Sequence, residues 1–150
     1  MAASTVKVDL RRIGGASFCA RGSSNHWVAM DTSPAGGGHG AGSSPMELVL
    51  MALAGCTAMD VVAMLDKMRV PLKDLRIEAE AERREECPRV FTNVKLLYRF
   101  WGDIHPAQAE RVIALSHKSY CSVSAMLQAT VPIEHHYEIN NDPPAPEGSA

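Results

Sequence analysis

Apolar residues are not spread evenly along the chain; they change period several times, and each change marks an element. From Thr5 to Ile13 the pattern alternates, with Val6, Val8 and Leu10 expected to face inward and Lys7, Asp9 and Arg11 outward. Gly14-Gly15 ends that run, and two further short runs, 16–21 and 26–31, follow across a second turn, so three short strands are predicted. Residues 32–43 are glycine-rich, which suits a mobile connection; the stretch lacks the GK[ST] ending of a phosphate loop.

The longest apolar run lies between Ser43 and Arg69. Ser44-Pro45-Met46-Glu47 has the form of a helix start, with Ser44 as cap, Pro45 where no amide is needed, and Glu47 placed to complete a capping box. From Leu48 to Leu65 only Gly55, Thr57 and Asp60 interrupt the apolar residues. A helix with no wide polar face is expected to be covered on most sides, as a central core helix. One sheet covers one face only, so a second copy of the chain is expected to cover the remainder, giving a homodimer.

Val70-Pro71 stops that helix. Leu75, Ile77, Ala79 and Ala81 then alternate with charged residues as a half-exposed strand, Glu86-Cys87-Pro88-Arg89 turns the chain, and 91–101 returns with Val94, Leu96, Tyr98 and Phe100 on one face. His105-Pro106 opens a second helix reaching about Ser116, 119–128 reads as a further short helix, and 130–139 as a last strand. The fold class is therefore α+β, with about six mainly antiparallel strands around two main helices and a long buried central helix. Residues 1–141 are expected to form a single domain, and 142–150 a disordered proline-rich tail.

Composition narrows the function. The chain has 150 residues, 46% of them hydrophobic, and a formal net charge of -2, with no basic patch to draw nucleic acid or an anionic membrane. No leader pattern precedes the first strand, so a cytoplasmic location is expected. Four cysteines stand at 19, 56, 87 and 121, in no zinc-ribbon or CxxC spacing, and a reducing compartment argues against structural disulfides. His135 and His136 point to opposite faces of a strand and His39 lies in the glycine-rich loop, so the histidines are expected at the surface or in loops; no metal site and no cofactor are expected.

Cys56 lies mid-helix, beyond the reach of the helix dipole, so a reactive thiol there needs a cation brought from elsewhere. Cys121 falls at the first turn of the last short helix, where unpaired amides favour a thiolate. Either the two are ordinary buried residues, or they form a two-thiol redox site in which one is oxidised and the other condenses with it to a disulfide.

The stretch SSPMELVLMALAGCTAMDVVAML, followed 65 positions beyond its cysteine by SHKSYCSVSAML, resembles the OsmC/Ohr family of thiol-dependent hydroperoxide reductases over residues 5–139. The SPMExxLMAxxGCxxxDVV run and the ERREECPRVFT hairpin are most similar to its YhfA-like branch. The resemblance implies an intertwined homodimer that reduces organic hydroperoxides or hydrogen peroxide, with Cys56 as the peroxidatic and Cys121 as the resolving thiol, recycled by a dithiol such as a lipoyl group. It implies no role for Cys19 or Cys87.

Two features depart from the family pattern. Met46 stands where peroxidase members carry a glutamate, and Glu47 comes one position later. Glu47 and Cys56 are nine positions apart, about 180° around the helix and about 13 Å along it, so a catalytic Glu47 would act across the dimer interface. The family's arginine also lacks an aligned counterpart: Arg11, Arg12 and Arg21 are nearby candidates, Arg21 first among them, and Arg83, Arg84 and Arg89 of the hairpin are alternatives. The competing function is a non-catalytic dimeric protein of the same fold that binds a small apolar ligand or senses redox state. Met46, Met51, Met59 and Met64 would line its pocket, though plain core filling also accounts for them.

Overall fold

The computed structural model describes residues 4–144. The expected tail, 142–150, lies outside them from residue 145 onward. Two compact units divide the chain at residues 49 and 50.

The first unit holds a three-stranded antiparallel sheet: β1 (Val8–Gly14), β2 (Ser17–Gly22) and β3 (Trp27–Met30), in that order. The expected inward face of β1 is a difference from the sequence reading: Val6, Val8 and Leu10 are 84%, 67% and 55% exposed. A sheet buries a face only where another layer covers it, and three strands supply no such layer by themselves.

The glycine-rich segment also differs from expectation. The carboxylate of Asp31, itself buried, accepts hydrogen bonds from the amides of Thr32 (2.8 Å), His39 (3.1 Å) and Ala41 (3.0 Å), which fold the segment around it. Those amides, Ala41 first, hold the Asp31 carboxyl down at about 2. A Cβ at Gly38 would stand 2.2 Å from an Asp31 oxygen, so glycine is required by the close approach rather than for mobility.

Helix α1 (Pro45–Lys67) starts as its sequence predicts. The Ser44 amide donates to Glu47 Oε2 at 2.7 Å and the Glu47 amide to Ser44 Oγ at 3.3 Å, the two halves of a capping box. The helix is long and apolar enough to cross a membrane, a test that core helices also pass. Its burial is narrower than expected: Leu53, Thr57, Val61 and Leu65, an i, i+4 stripe, are buried, while Met51, Met59 and Val62 are exposed.

The second unit is built on a sheet of order β4 (Leu72–Arg83), β5 (Phe91–Gly102), β6 (Ile133–Asn140). β4 and β5 pair antiparallel as the predicted hairpin; β6 adds parallel to β5. On the central strand Val94, Leu96, Tyr98 and Phe100 are all fully buried, the face expected from their alternation. Between β5 and β6 run α2 (Pro106–Leu115), a π-type turn over Ser116–Tyr120, and α3 (Ser122–Leu127). Among the described residues six strands, mostly antiparallel, with one long helix and shorter ones, make the α+β class that the periodicity implied.

Candidate active site

Sulfur chemistry is placed by the middle of α1 and the start of α3. Cys56 is half-buried, and Asp60, one turn later, lies on the same face of the helix. Thr57 between them is buried and donates its hydroxyl back to the carbonyls of Leu53 and Ala54. Its polar group is thereby satisfied inside an otherwise apolar stripe.

The π-type turn brings the second half of the site. Such turns insert a residue into helical geometry and re-aim the side chains around them. Ser116, buried, donates its hydroxyl to Asp60 Oδ2 at 2.9 Å, and its carbonyl accepts from the Cys121 amide at 2.8 Å. Cys121 caps α3, its sulfur accepting from the Ser124 amide at 3.3 Å. The two sulfurs and an Asp60 carboxylate oxygen all lie within 4.8 Å of one another.

The expectation that the N-terminal position would favour a Cys121 thiolate meets an opposing effect. Cys121 is buried, and burial pushes its thiol up; the hydrogen bonds from Ser124 pull against that, and the adjacent Cys56 adds to the rise. A helix of two turns supplies too few free amides to outweigh desolvation.

Sequence reasoning missed the floor of this site. Tyr98, fully buried on β5, has its hydroxyl pushed up to about 12, chiefly by burial; Thr57 opposes the rise, and the charges of Cys121 and Asp60 add to it. The phenol therefore stays protonated at any physiological pH. His135 Nδ1 lies 3.4 Å from the Tyr98 hydroxyl, and the His117 and His135 rings meet edge to face at 4.5 Å. Burial drives His135 down to about 4 and lowers His117 as well, so both are neutral imidazoles. The expectation of surface or loop histidines is thus corrected for this pair. His117 Nδ1 and His135 Nε2 are buried without a hydrogen-bond partner among the described residues.

The other candidates are engaged elsewhere. The Glu47 carboxylate belongs to the helix cap, and its acceptance of the Ser44 groups holds it below the usual carboxylate range. Arg21 bonds Asn25 Oδ1 at 2.7 Å, approaches Asp9 at 3.8 Å and stacks 4.9 Å over the Trp27 ring. The hairpin arginines hold their own turn: Arg83 donates to the Arg89 carbonyl, Arg89 to the Glu85 carbonyl and Arg84 to the Pro88 carbonyl. A cavity of about 270 Å³ instead places Lys67 and Arg111 on a wall shared with Asp60, Met64, Met68 and Tyr120. Met64 is the one methionine of the expected pocket set that lines it; Met59 lines a separate open depression with Val62 and Leu75, and Met51 and Met59 are both exposed rather than core filling.

The profile of the OsmC-like protein family matches residues 38–136, a span containing both sulfurs, Asp60, Tyr98, His117 and His135. The chain belongs to the OsmC-like family. This OsmC-like chain is 41% identical over 135 residues to Protein YhfA of Escherichia coli K12, covering 89% of itself and 98% of that relative. Among solved structures it is similar to a hypothetical protein from Aquifex aeolicus VF5, at 26% identity and a TM-score of 0.84, covering 94% of this chain and 100% of that one. An organic hydroperoxide resistance protein OsmC from Legionella pneumophila shares the fold at a TM-score of 0.71 and 18% identity, over 92% of this chain and 99% of that one.

Proposed function

We propose that this protein is a cytoplasmic, homodimeric thiol peroxidase that reduces organic hydroperoxides or hydrogen peroxide with Cys56 and Cys121. The observation that carries the reading is the close approach of the two sulfurs, both within 4.8 Å of each other and of Asp60, in a fold shared with an organic hydroperoxide resistance protein. The cavity beside Asp60 supports it by offering an apolar approach with cations on one wall.

Different environments divide the roles. Cys56, half-buried, is the thiol a peroxide can reach; Cys121, buried and held in its thiol form, suits resolution. The Cys56 thiolate attacks one peroxide oxygen, the O–O bond breaks, the alkoxide takes a proton and leaves as alcohol, and Cys56 becomes a sulfenic acid. The Cys121 sulfur, surrendering its proton, attacks that sulfur; an S–S bond forms and water leaves. An external dithiol, such as a reduced lipoyl group, returns both thiols by exchange and departs as its own disulfide. Arg111 and Lys67 serve in place of the family's arginine.

Homodimerisation is supported by the surface that one chain leaves bare: Val6, Val8 and Ile13 near the start, Met51, Met59 and Val62 on α1. The test is peroxide consumption by purified protein with tert-butyl hydroperoxide and a dithiol. Wild type should turn over, Cys56→Ser should fall to background, and Cys121→Ser should give about one turnover unless thiol is added in excess. Equal background rates for wild type and Cys56→Ser would remove the peroxidase reading.

A further inference from the structure

We infer that Cys56, Asp60 and Cys121 form a binding site for a thiophilic divalent cation of the zinc class. Two sulfurs and a carboxylate oxygen within 4.8 Å of one another are nearly the arrangement that a tetrahedral cation imposes. With Zn–S about 2.3 Å and Zn–O about 2.0 Å, such ligand atoms stand roughly 3.5–3.8 Å apart, so a contraction of about 1 Å closes the shell. Cys56 and Asp60 are paired by the i, i+4 spacing of α1, and Cys121 is supplied by the cap of α3.

Asp60 is the residue that thiol chemistry alone leaves unexplained. A carboxylate beside two sulfurs repels any thiolate that forms, whereas a shared cation makes all three negative groups favourable together. Ser116 donates to Asp60 Oδ2 at 2.9 Å, which fixes the carboxylate and leaves its other oxygen to ligate. Ser116 is itself buried and set by the π-type turn, so the outer support of the ligand is rigid.

The mixed donor set selects among metals. Two thiolates favour zinc over magnesium or calcium, and the carboxylate sets zinc or cobalt(II) apart from copper(I), which needs the sulfurs alone. Three protein ligands leave a fourth position for water or a small molecule, so the ion is exchangeable. On binding, both thiol protons leave to solvent and the sulfurs bond to the metal. Neither is then free to be oxidised or alkylated, and the metal and the disulfide exclude one another. Metal binding requires no peroxide turnover and stands or falls independently of it.

The test uses the reduced full-length protein and cobalt(II), whose thiolate charge-transfer and tetrahedral visible bands report the ligand set, with zinc as competitor. About one cobalt per chain should bind, displaced by zinc. The thiolate bands should weaken in Cys56→Ser and in Cys121→Ser. Ser116→Ala should bind about 10-fold more weakly, and Asp60→Asn on the order of 100-fold more weakly, with far-ultraviolet circular dichroism unchanged. Zinc should also slow alkylation of Cys56 and Cys121 in the wild type while leaving Cys19 and Cys87 unprotected, a readout that needs no variant. The inference is overturned if Asp60→Asn titrates like the wild type, if zinc protects no cysteine or all four equally, or if the Cys56–Cys121 disulfide form binds the metal as tightly.

Discussion

His117 and His135 meet edge to face with ring centroids 4.5 Å apart, one from the π-type turn and one from β6, and burial disfavours the charged form of both rings. Burial is the main cause for both; Lys118 adds to it at His117, and the neighbouring His117 and His136 rings add to it at His135, whose Nδ1 lies 3.4 Å from the Tyr98 hydroxyl.

That pair makes stability depend on pH with a definite sign. The native His135 titrates at about 4 and the unfolded one near 6.5, so the unfolded chain binds the extra proton in between. Stability is complete above pH 6.5 and falls as pH drops through that window. His135 retains some solvent contact, so the loss is discounted to about 1–2 kcal/mol. Urea unfolding of wild type and His135→Gln at pH 7 and pH 4.5 should show a steeper decline for the wild type. Parallel declines would place the imidazole in water.

Much of this architecture is legible in the sequence because it rests on local periodicity. The capping box at Ser44 and Glu47 and the buried face of β5 follow from residues a few positions apart. What escapes is set by long-range pairing. His117 and His135 are 18 positions apart, and only the π-type turn and the parallel addition of β6 bring their rings together. The ordering of the glycine-rich loop depends on one carboxylate at Asp31, which composition alone does not distinguish from any other loop aspartate. The i, i+4 spacing already sets Asp60 one turn from Cys56, but its contacts with Ser116 and Cys121 come only from the fold.

The two faces of α1 should respond differently to substitution. Leu53 is fully buried, so Leu53→Ala should destabilise the fold by about 2–5 kcal/mol in urea unfolding. Met59 is 76% exposed, and Met59→Glu should leave the secondary structure intact while shifting the protein from dimer to monomer in light scattering. A Met59→Glu protein that remains dimeric would put the interface elsewhere.

Arg111 and the hairpin arginines should separate in the same way. Arg111 lines the cavity beside Asp60, whereas Arg83 is committed to the Arg89 carbonyl. Arg111→Ala should lower kcat/KM for tert-butyl hydroperoxide by about 10- to 100-fold, and Arg83→Ala should leave it within about twofold. The reverse order would move the activating cation to the hairpin.

Mapping the disulfide after a single stoichiometric oxidation bears most directly on the dithiol chemistry. Reduced protein given one equivalent of tert-butyl hydroperoxide should lose about 2 Da per chain, with peptide mapping locating a Cys56–Cys121 link and Cys19 and Cys87 still free. Oxidation that leaves Cys56 and Cys121 as thiols, or that joins either to Cys19 or Cys87 instead, would contradict it.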